Sequence, residues 1–192
     1  RRVHAAWGSV PDLEAVKGAD VDLVERGLHL ARFPLREAIV RHRFKEPRRY
    51  GLRGRPQATE AARKRALTTK TLRVFLDRFA RHLPTHWDGV SGDTFHAGDV
   101  VLVQLRGRRS RRRARRAARR GRLMFAVVSD RTNDEGVSIL ITLDPREGEA
   151  QEHHPLSTYD VVRHYRLSLS ELSDVRETLG MPPPRSVRGR LL

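Results

Sequence analysis

The chain has no cysteine. That excludes disulfides, thiolate metal sites and a thiol nucleophile, and it leaves the compartment open. Hydrophobic residues make up only 38% of the 192 positions, enough for one modest core. No apolar run approaches the roughly 18 residues that a membrane-crossing helix needs. Neither a phosphate-binding glycine loop nor an internal repeat is present. The chain opens Arg1-Arg2-Val3 without an initiator methionine, which suggests a processed chain or fragment with any targeting segment out of view. The most telling absence is local: residues 106–122 contain no acidic side chain, and they hold eleven arginines.

Those arginines are Arg106, Arg108, Arg109, Arg111, Arg112, Arg113, Arg115, Arg116, Arg119, Arg120 and Arg122. The formal net charge is +16, so removing this run leaves +5 for everything else. The excess is therefore concentrated. Its composition predicts a segment that builds no core, repels itself in water and gains order only against a polyanion. Concentrated positive charge selects nucleic acid or an anionic membrane as partner. A membrane is the poorer match, because the run offers only Ala114, Ala117 and Ala118 as apolar contacts.

The run sits between two stretches with strand character, 100–105 and 123–129. Around them, the N-terminal half reads as helical. Leu23, Val24, Gly27, Leu28 and Ala31 share one side of a helix over 22–31, and Leu35, Ala38, Ile39 and His42 continue a stripe after Pro34. Pro47, Gly51, Gly54 and Pro56 make 45–58 a loop. Thr68 or Thr69 caps a further helix with the face Leu72, Phe75, Leu76 and Phe79. Beyond Pro84 the period shortens. Strands are predicted at 137–143 after a turn over 133–136, and at 161–167. Ser168 and Glu171 have capping-box spacing for a last helix that Gly180 ends. Helices first and an antiparallel sheet afterwards make an α+β domain. The expected organisation is an N-terminal extension over 1–16, the domain over 17–180 and a proline-rich basic tail over 181–192.

A second basic cluster surrounds one tyrosine. Arg48, Arg49, Tyr50 and Arg53 lie together, with Arg41, Arg43 and Lys45 just before them. Arginine grips phosphate through a planar fork, and Tyr50 is expected to offer a stacking surface for bases. Other candidates are weaker. Glu152, His153 and His154 read as a solvated loop and not as a metal site. His82 and His86 have helical spacing, but Pro84 between them breaks the helix. His164 reads as a structural residue in a strand. Asp20 and Asp22 read as residues that begin or cap the first helix. No cofactor or metal is implied.

Several short motifs, in order over roughly 17–167, resemble the bacterial family called domain of unknown function 1287. That family resembles the NlpC-type, papain-like cysteine peptidases, mainly cell-wall amidases. Its G-x-C-x-D-x-x-x-R segment corresponds to Gly18, Asp22 and Arg26. Tyr50-Gly51 corresponds to its aromatic-glycine loop, and Leu72, Phe75 and Leu76 lie in its N-L-x-x-F-F segment. Gly98-Asp99 matches a strand start, Val128-Ser129-Asp130 a later strand, and His164-Tyr165-Arg166 a closing motif. The resemblance implies a papain-like fold and places the reacting groups at three positions. These hold Asp20 for cysteine, Met124 for histidine and Thr142 for a second histidine. Amide cleavage by that mechanism needs a thiolate activated by an imidazole. The expectation is a pseudoenzyme: a scaffold kept while its chemistry is lost.

The reading that follows is a non-catalytic, RNA-binding structural protein. Its expected setting is a ribosome-like ribonucleoprotein particle, a mitochondrial ribosome included, with ribosomal RNA and neighbouring proteins as partners and no small-molecule substrate. The alternative is a cell-envelope protein related to peptidoglycan-binding or amidase proteins, extracytoplasmic in a bacterium.

Overall fold

The computed structural model describes residues 20–53, 66–86, 94–105, 123–143 and 150–184. The expected extension at 1–16, the arginine run and most of the basic tail lie outside them. Four α-helices and six strands are described. Helix α1 (Asp20–Leu30), α2 (Leu35–Lys45) and α3 (Thr69–Phe79) come first, and α4 (Leu169–Leu179) comes last. Between them run β1 (Arg81–His82), β2 (Val100–Leu105), β3 (Leu123–Thr132), β4 (Ser138–Leu143), β5 (Ala150–Pro155) and β6 (Tyr159–Arg166). The architecture is α+β.

The helices start and stop where side chains satisfy their free ends. Thr68 accepts from the Thr71 amide while Thr71 reaches back, a reciprocal cap on α3. Ser168 and Glu171 do the same for α4, and Gly180 closes it at φ 62. Between α1 and α2 the chain turns at Arg32, which sits at φ 60 and has no glycine's freedom. Arg176 of α4 donates to the Arg32 carbonyl, and its guanidinium lies 5.5 Å from the Phe33 ring centroid. Tertiary contacts thus hold a turn that the local sequence does not favour.

All pairings in the sheet are antiparallel, and the strand order is β1-β6-β2-β3-β4-β5. Alternation along the strands makes two cores. Val100, Leu102, Phe125, Val127, Ile141 and Leu143 face the helices and join Leu23, Ile39, Leu72 and Phe75. Val101, Val103, Ala126, Val128 and Leu140 face the other way and join Phe95, Leu156 and Tyr159. Residues 100–103 of β2 are therefore buried on alternate sides of the sheet, which explains their unbroken apolar run. Each large apolar side chain so buried contributes about 1.5–3 kcal/mol.

The structure corrects several boundaries. Strand β3 continues to Thr132, and β6 begins at Tyr159. The stretch containing Glu152 and His154 is not a loop but the edge strand β5, paired to β4. Within the expected 45–58 loop, Pro47–Tyr50 forms a 3-10 turn. β1, at the opposite edge, pairs Arg81 with Arg166.

Candidate functional site

The arginine run is placed by its anchors. Strands β2 and β3 pair up to Gln104 opposite Leu123, so residues 106–122 connect adjacent strands. On its other side β2 pairs with β6, down to Leu105 opposite Tyr159. The connection thus leaves from the middle of the sheet. Arg106 through Arg122 themselves lie outside the described residues.

The second basic cluster divides sharply. Arg48, Arg49 and Arg53 are exposed on and after the 3-10 turn. Tyr50 is not the stacking surface expected of it: only 6% of it is exposed. Its hydroxyl shares a 2.8 Å hydrogen bond with His42 Nδ1, and Arg43 covers the ring at 5.9 Å. Burial pushes the Tyr50 phenol well above its ordinary range. No face of this ring is free for a base. Arg41 and Lys45 are also committed, donating to the Gly180 and Thr178 carbonyls at the end of α4. They dock a helix, and their charges sit where its dipole favours them.

The three positions to which the resemblance assigns reacting groups have separate surroundings. Asp20 opens α1 and is buried, its carboxylate accepting a 2.7 Å bond from the Phe125 amide of β3. This ties the helix start to the sheet. Asp22 has a different partner, Arg36, so the two aspartates are not a carboxylate pair. Met124 packs into the second core, on the face of the sheet away from the helices. Thr142 lies between Ile141 and Leu143, which face the helices, so strand alternation turns it to that same far face. Asp20 meets the backbone between Met124 and Phe125, while the Met124 side chain packs on the far face.

Among the described residues, a densely bonded polar group is one that the sequence offered only as scattered motif matches. Asp99, 1% exposed, accepts from Arg166 Nε at 2.7 Å and Nη2 at 2.8 Å, and from the His96 amide at 2.8 Å. His164 Nε2 lies 2.8 Å from the same carboxylate. Its Nδ1 lies 2.8 Å from the Pro84 carbonyl, which can only accept, so Nδ1 carries a hydrogen. Phe95 stacks on the imidazole at 4.2 Å. Burial works against the charge on Asp99, but the Arg166, His164 and His96 hydrogen bonds outweigh it and hold the carboxyl below its ordinary value. An Asp–His pair invites comparison with a catalytic dyad. Here His164 is fully buried and both nitrogens are occupied, so it has no free lone pair to take a proton from a substrate. The group acts as a clamp joining the start of β2, the end of β6 and the segment at Pro84.

Ser129 on β3 donates to Glu152 on β5, and Arg131 lies 3.6 Å from the same carboxylate. This reaches across β4 and tethers the edge strand. Among the described residues, no group of three or more His, Asp or Glu side chains is placed to hold a metal ion. No helix among them is long and apolar enough to cross a membrane. Compared with known proteins, the chain matches no family model, no curated protein and no solved structure.

Proposed function

We propose that this is a non-catalytic RNA-binding protein, a structural component of a ribosome-like ribonucleoprotein particle, with ribosomal RNA and neighbouring proteins as its partners. A mitochondrial ribosome is one setting consistent with it. One observation carries the reading: eleven arginines without an acidic residue occupy a connection between two strands. A folded body with a basic excursion suits a protein that stays at the surface of an RNA particle and sends charge inward. The resemblance to domain of unknown function 1287 and its papain-like fold remains part of the proposal, with its chemistry lost. Asp20 is tied to the Phe125 amide, and neither Met124 nor Thr142 offers an imidazole, which argues against an amidase of the cell envelope.

The test is binding to structured RNA across salt concentrations. If about six arginines engage phosphates, the log–log slope is roughly −4 to −5, at about 0.7 to 0.9 per contact. Changing Arg111, Arg112, Arg113, Arg115 and Arg116 together to Gln removes most of the affinity and flattens the slope. Wild-type protein that binds RNA no better than this variant at physiological salt sinks the reading. Incubation with peptidoglycan fragments gives no product; turnover abolished by Asp20→Ala points instead to the envelope.

A further inference from the structure

Outside the arginine run, a group of basic side chains lies along the end of α2, the 3-10 turn and α3. Among the described residues, no carboxylate lies within ion-pair distance of Arg43, Arg48, Arg53, Lys70 or Arg78. The 3-10 turn Pro47–Tyr50 carries Arg48 alongside α3. Lys70, at the start of α3, brings its ammonium to the end of that turn, 3.7 Å from where a Cβ on Gly51 would stand. At the other end of α3, Arg78 lies 5.7 Å from the Phe79 ring centroid and close enough to His42 to act on its charge. Beneath them is an aromatic floor: His42 meets Phe79 at 4.8 Å and Tyr50 at 5.5 Å, edge to face. Glu46 is the carboxylate facing this floor, and Arg49 holds it.

Helix dipoles explain only part of this charge. Arg43 and Arg78 sit in the last turns of α2 and α3, where a cation is favoured. Lys70 sits in the first turn of α3, the positive end, and that turn has no acidic residue. A cation there is unfavourable unless an anion comes to it. Lys70 and Arg78 are eight positions apart, about 12 Å along the helix at 1.5 Å per residue. A duplex presents a phosphate charge about every 1.7 Å of its axis, so several lie within reach of such a row.

We propose that this corner is a second phosphate-contact surface, engaging the same RNA as the arginine run; the inference rests on the RNA-binding reading above. Of its rings, His42 and Tyr50 are buried and the half-buried Phe79 lies beneath Arg78. The corner therefore contacts the sugar-phosphate backbone and contributes affinity without base preference.

The experiment is the full-length chain carrying Arg48→Gln, Arg53→Gln, Lys70→Gln and Arg78→Gln, titrated with two structured RNAs of unrelated sequence across salt. All four side chains are exposed. Four lost contacts flatten the log–log slope by about 3, and affinity at physiological salt drops about tenfold or more on both RNAs. Lys70→Glu alone serves as the second variant. It puts an acidic residue in the first turn of α3, so it slightly raises the thermal midpoint while weakening RNA binding. A purely structural role for Lys70 does not produce that split. Unchanged slope and affinity in the quadruple variant, with binding still lost in the five-arginine variant of the run, overturns the corner and leaves the RNA reading standing. Wild-type protein that ignores RNA but binds phosphatidylserine vesicles overturns both.

Discussion

His42 and Asp99 show how differently two buried ionisable side chains behave. Burial lowers the basicity of His42 below its ordinary 6.5, and the nearby Glu46 restores only part of it. The folded protein thus keeps His42 neutral where the unfolded chain already takes up a proton. Stability is unaffected above about pH 6.5 and falls as pH drops below it. Denaturation midpoints at pH 7.5 and 5 check this: His42→Gln loses less on acidification than the wild type. An equal loss in both sinks the argument. Asp99 is the reverse, a carboxylate held below its ordinary 3.8. Its contribution is complete above that value and disappears as pH falls through the lowered one. Asp99→Asn leaves Arg166 and His164 without their shared partner and costs on the order of 3 kcal/mol, read by urea denaturation at neutral pH. A cost below about 1 kcal/mol means the clamp is dispensable. Asp99, His164 and Arg166 are visible in the sequence only as members of separate short motifs. What joins them is the antiparallel register of β2 with β6, which puts Val101 opposite His164. Tyr50 was misleading for a related reason: an aromatic among arginines reads as a stacking surface, and only the return of the chain onto α2 brings His42 to its hydroxyl.

At the scale of elements, legibility followed the strength of local chemistry. Ser168, Glu171 and Gly180 mark α4 almost to the residue because caps are local. The run Val100–Leu105 is legible as a strand because its residues 100–103 are buried on alternate sides of the sheet. Strand β5 was missed because Ala150–Pro155 is polar, shows no clean alternation and ends in proline. It owes its form to the β4 backbone beside it, and Pro155 is tolerated because β5 is an edge. The β2–β3 pair carries its own prediction. Val101 lies opposite Ala126 and Leu102 opposite Phe125, both within fully buried surroundings, so the pairing does not depend on what connects the strands. Doubling a loop's length costs only about 0.6 kcal/mol, so shortening this one gains little and risks little. Replacing residues 108–120 with a short Gly-Ser turn leaves the thermal midpoint within about 4 °C, because a 1 kcal/mol change moves a domain of this size by roughly 2–4 °C. Collapse of the folded state means that the arginine run packs on its own domain.

At the scale of the whole molecule, the charge separates from the fold. The α+β class follows from apolar periodicity, and none of the eleven arginines contributes to it. Periodicity could not say which face each motif residue takes: in the sheet, Met124 and Thr142 turn away from the helices, and Asp20 is tied to the Phe125 amide. In the proposed function the charge carries the binding, and linkage makes that measurable through stability. A ligand that binds only the folded state stabilises it by RT ln(1 + [L]/Kd), about 2.7 kcal/mol at a hundredfold excess over Kd. For a domain of this size that corresponds to a rise in thermal midpoint of roughly 5–11 °C. Structured RNA at that excess raises the wild-type midpoint by this amount at low salt. The rise shrinks as salt displaces the protein from phosphate, because the released counterions no longer favour binding. The variant with Arg111, Arg112, Arg113, Arg115 and Arg116 changed to Gln has the same midpoint as wild type without RNA, since a run of charged side chains has no apolar surface to bury, and shows little rise with it. A midpoint that RNA leaves unmoved in the wild type removes RNA as the partner. A rise of equal size in the variant moves the contact away from the run and onto the rest of the surface.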